Sequence, residues 1–69
     1  MQNIEKIEEV SSMTTYRVKT QQKVYDVLKK LNLETKYFVV LINGKKVEPT
    51  DFVEKDDEIL ILPRIAGGY

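Results

Sequence analysis

The chain is expected to fold as an α+β domain, a mixed five-stranded sheet with one helix packed across one face. Three observations carry that expectation. Val24, Val27, Leu28 and Leu31 fall at i, i+3, i+4 and i+7, the apolar stripe of an amphipathic helix. The apolar run Tyr37–Ile42 leads into Asn43-Gly44, a strong hairpin signal because a type I′ turn needs positive φ at both central positions. A second apolar run, Ile59–Leu62, follows Glu58 and stops at Pro63.

Each element follows in order. Asn3 to Val10 reads as a strand, although Ile4, Ile7 and Val10 are spaced by threes, because Ser11-Ser12-Met13 can turn it into a neighbour. Thr14 to Lys19 alternates, facing the core through Tyr16 and Val18. The helix spans Gln21 to Asn32, with Thr20 as N-cap and Asn32 in the left-handed conformation that ends many helices. Lys29 and Lys30 complement its dipole. Strands follow at Tyr37–Ile42 and Lys45–Glu48. Pro49-Thr50-Asp51 and Lys55-Asp56-Asp57 are turn material, with Phe52 and Val53 closing over the core. Glu58–Leu62 is the final strand, and Pro63 halts its ladder by removing a donor. Two hairpins, a crossing helix and a last strand returning to the sheet centre form the β-grasp arrangement. Residues 1–62 are then the domain and 63–69 a flexible tail. The two long strands are apolar on both faces, so the face away from the helix is expected to meet a partner or to lie under extended loops. Tyr16, Tyr25 and Tyr37 are read as half-buried aromatics without chemistry.

Composition narrows the function. The 69 residues include no cysteine and no histidine. The chain therefore lacks the usual nucleophile, general base and zinc ligands, and it is too small for a roomy substrate pocket. It is not expected to be an enzyme or to hold a metal or bound cofactor. Eleven basic and eleven acidic residues cancel. They segregate, with cations over Arg17–Lys36 and anions over Glu48–Glu58, either as solvated faces or as a patch that steers a protein partner. Nucleic acid is not expected as a partner, because the basic segment lacks interleaved exposed aromatics. No apolar stretch is long enough to span a membrane and no secretion signal is present, so the reading is cytoplasmic.

The most informative segment is Ile65-Ala66-Gly67-Gly68-Tyr69. Glycine adopts backbone angles barred to other residues and can thread a channel too narrow for side chains. With the helix Val24–Leu31, the strand and turn Val40–Gly44, and the run Asp57–Leu62, this ending resembles the ubiquitin-like sulfur carriers of thiamine thiazole and molybdopterin synthesis. Ile-Ala-Gly-Gly looks more like the thiamine carrier. The resemblance implies a carboxylate at Gly68 that is adenylated, with ATP used by an activating partner, and then converted to a thiocarboxylate. Gly67, Ala66 and Ile65 would thread into that partner, and Ile59, Ile61 and Arg64 would form its interface. The implied partners are a ubiquitin-activating-like adenylating enzyme, a sulfurtransferase or cysteine desulfurase, and an acceptor biosynthetic enzyme.

Two departures stand out. Asp56-Asp57 replaces the glycine usual in the turn before the last strand, and Tyr69 follows the second glycine. Tyr69 displaces the free carboxylate by about 3.8 Å, one Cα–Cα step. A JAMM-type zinc peptidase, which trims some bacterial carriers, would have to remove it. The alternatives are a modifier conjugated to target lysines through Gly68, or a β-grasp interaction domain that never reacts.

Overall fold

A computed structural model describes residues 3–64 of the chain. Strands β1 (Ile4–Val10) and β2 (Met13–Val18) form a hairpin, followed by a two-residue strand β3 (Gln22–Lys23) and helix α1 (Val24–Lys30). A 3-10 turn at Thr35–Tyr37 leads into β4 (Phe38–Ile42), β5 (Lys45–Val47), a two-residue β6 (Phe52–Val53) and β7 (Glu58–Pro63). The main sheet has the order β1-β2-β7-β4-β5, with β7 central as expected, and β3 pairs β6 separately. The α+β class, the five strands and the single helix across one face are those of a β-grasp fold.

Strand direction departs from the mixed pattern: every ladder is antiparallel. The reason is placement, because β2 and not β1 lies against β7. The threefold spacing of Ile4, Ile7 and Val10 also has a structural cause. Lys6 pairs Tyr16 and Glu8 pairs Thr15, so Ile7 is the extra residue of a β-bulge and resets the alternation.

The helix is shorter than its apolar periodicity. Lys23, not Thr20, is the N-cap, and it makes no side-chain cap bond. Backbone carbonyls do that work: Val24 N–H donates to Asp51 O and Tyr25 N–H to Pro49 O, both at 2.9 Å. The segment before them is drawn into the β3–β6 pairing. At the other end Asn32 has φ 61°. Leu33 N–H reaches Leu28 O and Asn32 N–H reaches Lys29 O, the two bonds of a Schellman motif. Asn43 and Gly44 have φ 54° and 82°, the type I′ pair expected. Asp56 takes φ 71°, filling the left-handed turn position that glycine would suit, and the Asp57 carboxylate accepts the Glu54 N–H.

The core lies between α1 and the sheet, with Val18, Val24, Val27, Leu28, Val53 and Ile59 at 2% exposure or less. Val53 closes over it as expected. Phe52 does not, standing 54% exposed with the Lys23 ammonium 5.8 Å from its ring. Tyr16 packs partly buried against the core, and Tyr25 and Tyr37 are 50% and 56% exposed.

Pro63 remains inside β7, paired with Phe38, where the sequence places the end of the ladder at Leu62. Antiparallel pairs alternate between bonded and unbonded, and Arg64 N–H donates to Tyr37 O, so the Phe38–Pro63 pair is an unbonded one. There the missing proline N–H costs nothing toward β4. The strand thus ends at Pro63, one residue past the end expected at Leu62.

Candidate functional site

Strand alternation sends Ile59 and Ile61 toward the helix and Leu60 and Leu62 to the opposite face. Ile59 is 0% and Ile61 3% exposed, so the expected partner interface at these two residues is corrected: they are core. Leu60 and Leu62, with Val39 and Leu41 beside them, are the half-buried apolar groups of the uncovered face. A run apolar at every position hides its parity. Glu58 was the signal that could have revealed it, because a carboxylate at the strand start marks the solvent side shared by Leu60 and Leu62.

The cross-strand register arranges this face in rows. Val10 pairs Met13, and Val39 pairs Leu62. Extending the β2–β7 register by one residue beyond Thr14–Ile61 sets Met13 next to Leu62. Val10, Met13, Leu62 and Val39 therefore make an apolar row at the end where the chain leaves the sheet. The next row is Thr15, Leu60, Leu41 and Lys46. The third holds Arg17 and Glu58, joined by a 2.6 Å ion pair. The face thus grades from apolar beside the tail to charged away from it. Val10 and Met13 are 51% and 39% exposed. Exposed apolar rows of this kind characterise contact surfaces.

Arg64, the third expected interface residue, is exposed but bonded within its own chain. Its N–H donates to Tyr37 O at 2.8 Å and its guanidinium to Phe38 O at 3.3 Å. Ile65, Ala66, Gly67, Gly68 and Tyr69 lie outside the described residues.

The segregated charges are largely engaged in holding the fold. Asp51 accepts the Glu48 N–H at 2.7 Å, Glu54 accepts from Gln21, and Lys30 donates to Gln22. Among the described residues Lys6 is the one group whose ionisation is clearly displaced. The hydrogen bond to Glu9, reinforced by that carboxylate's charge, holds its ammonium above the usual lysine range. Among the described residues no group of three or more Asp or Glu is placed to hold a metal ion, and no helix is long and apolar enough to cross a membrane.

Comparison with known proteins adds the family. The ThiS family matches residues 4–68, from the start of β1 through the second glycine. No curated protein and no solved structure matches the chain. ThiS family members are small sulfur carriers, not catalysts, and work with adenylating and sulfurtransferase partners. With nearly its whole length matched, and with the β-grasp body that the family requires, this chain belongs to the ThiS family of ubiquitin-like sulfur carriers.

Proposed function

We propose that the chain carries sulfur on the Gly68 carboxylate for cofactor synthesis, with thiamine thiazole formation as the favoured destination, and that Tyr69 must first be removed. The observation that carries this reading is the family match, which runs through Gly67-Gly68 and stops there, leaving Tyr69 beyond it. The Ile65-Ala66-Gly67-Gly68 sequence supports the thiamine branch.

The chemistry is the one that the carrier family implies for this ending. Hydrolysis of the Gly68–Tyr69 amide, by a peptidase of the JAMM type, frees the carboxylate. A carboxylate oxygen then attacks the α-phosphate of ATP held by the adenylating enzyme, and pyrophosphate leaves. The terminal sulfur of a persulfide on a sulfurtransferase or cysteine desulfurase displaces AMP to give an acyl disulfide, and a thiol then cleaves its S–S bond, leaving the thiocarboxylate and a disulfide on the donor side. The thiocarboxylate sulfur is nucleophilic and passes to the acceptor biosynthetic enzyme. Ile65, Ala66 and Gly67 thread the tail, and glycine at 67 and 68 keeps the reacting end free of Cβ atoms. The row Val10, Met13, Leu62 and Val39 docks the body against the adenylating enzyme, with Leu60 and Leu41 behind it.

The test is reconstitution with the adenylating enzyme of the same cell, using chains with and without Tyr69. The shorter chain should drive ATP–pyrophosphate exchange and the longer one should not. Exchange of equal rate with both would remove the processing step. Isopeptide-linked adducts without a thiocarboxylate would replace the carrier reading with that of a protein modifier.

A further inference from the structure

Arg64 is the first residue beyond β7, and it is bonded twice to the chain it is leaving. One bond, from its N–H to Tyr37 O, extends the β4–β7 ladder by a residue. The other, from Nη2 to Phe38 O, meets a need created on the opposite edge of β4. Continuing the β4–β5 register beyond Val40–Val47 would set Pro49 opposite Phe38, and proline has no N–H to give. The Arg64 guanidinium supplies the donor in its place. The same residue helps line a cleft of about 120 Å³ beside Leu28, Phe38 and Val47.

We propose that Arg64 is a positioning residue for the reaction at Gly68: it clamps the root of the tail to the start of β4, so that only residues 65–68 are presented to the adenylating enzyme. This inference rests on the carrier reading given above. Four residues reach at most about 14 Å, so the clamp sets an upper limit on the distance from β4 at which the carboxylate can stand. Loosening it adds free chain at the root. In-line attack on a phosphate is sensitive to displacements of about 1 Å, which can lower a rate by about 100-fold. A side chain spent on its own backbone does this without touching ATP or the reacting atoms.

The experiment uses the chain ending at Gly68, the adenylating enzyme of the same cell, and ATP–pyrophosphate exchange as readout. Arg64→Ala should lower kcat by about tenfold with KM nearly unchanged, since docking is kept and alignment lost. Arg64→Lys, which can still donate to Phe38 O, should recover most of that loss. One glycine inserted between Arg64 and Ile65 should reproduce it with Arg64 intact. Amide hydrogen exchange checks the clamp without any partner: in Arg64→Ala the residue 64 amide should exchange about tenfold faster at an unchanged melting temperature. A rise in KM alone, with salt-sensitive binding, would overturn the proposal and return Arg64 to a contact with the partner. An Arg64→Ala chain equal to wild type in kcat, or unchanged at the residue 64 amide, would also overturn it. If the unsubstituted chain itself supports no exchange of pyrophosphate, the carrier reading fails, and the positioning role fails with it.

Discussion

On the helix side of the sheet, Val40, Ile42, Ile59 and Ile61 are no more than 9% exposed. On the other side, the residues between and beside them in the same two strands, Val39, Leu41, Leu60 and Leu62, remain half-buried, with no helix laid over them among the described residues. The two sets are almost identical in chemistry. What separates them is a single step of alternation, which turns one set into core and the other into surface. A domain of 69 residues has little apolar material to spare. Leaving four such groups outside a core points to a use for them, and two of them, Val39 and Leu62, lie at the end where the chain leaves the sheet.

Substitutions on the two faces should therefore separate stability from binding. The largest effect belongs to the inner face: Ile59→Ala should cost about 2–5 kcal/mol in denaturant unfolding, the range for buried aliphatic truncations. A loss below about 1 kcal/mol would mean that Ile59 is not the core residue its burial indicates. On the outer face, Leu62→Asp should leave unfolding within about 1 kcal/mol of wild type. It should weaken binding to the adenylating enzyme by at least about tenfold, measured by calorimetry, because it puts a charge in the apolar row. If Leu62→Asp unfolds the domain instead, the two faces are not distinct in role.

The acidic turn before β7 offers a finer comparison, between charge that builds structure and charge that merely faces water. Asp57→Ala removes the acceptor of the Glu54 N–H and should cost about 1 kcal/mol without changing partner binding. The smallest effect concerns Lys6 on the outer edge strand. Its folded-state pKa is raised by Glu9, so its contribution is present at neutral pH and is lost as pH rises through and beyond the lysine range. Comparing melting temperatures of wild type and Lys6→Gln should show any wild-type advantage closing above that range. An advantage that grew with pH would contradict the assignment.

Much of this architecture could be read from residues alone, for physical reasons that differ by element. The helix stripe and the Asn43-Gly44 turn are local signals, and each formed as its chemistry requires. The β3–β6 pairing and the capping of α1 by Pro49 and Asp51 carbonyls join segments far apart in sequence, which local spacing does not encode. The bulge at Ile7 imitated helical spacing by resetting a twofold alternation. At the candidate site, the uncovered sheet face was legible, but its membership was not. Ile59 and Leu60 are both apolar, and only the charge at Glu58 distinguishes their sides. The bonds that Arg64 makes within the chain were not legible, because its acceptors, the Tyr37 and Phe38 carbonyls, are backbone groups that any sequence would supply.

The most direct test of the central claim is intact-mass spectrometry of the chains ending at Gly68 and at Tyr69, each incubated with ATP, the adenylating enzyme and a sulfur source. The carrier account predicts that the chain ending at Gly68 gains the mass of one sulfur replacing one oxygen, while the chain ending at Tyr69 is unchanged. A chain ending at Gly68 that stays at its starting mass, or that appears only in lysine-linked adducts, would contradict it.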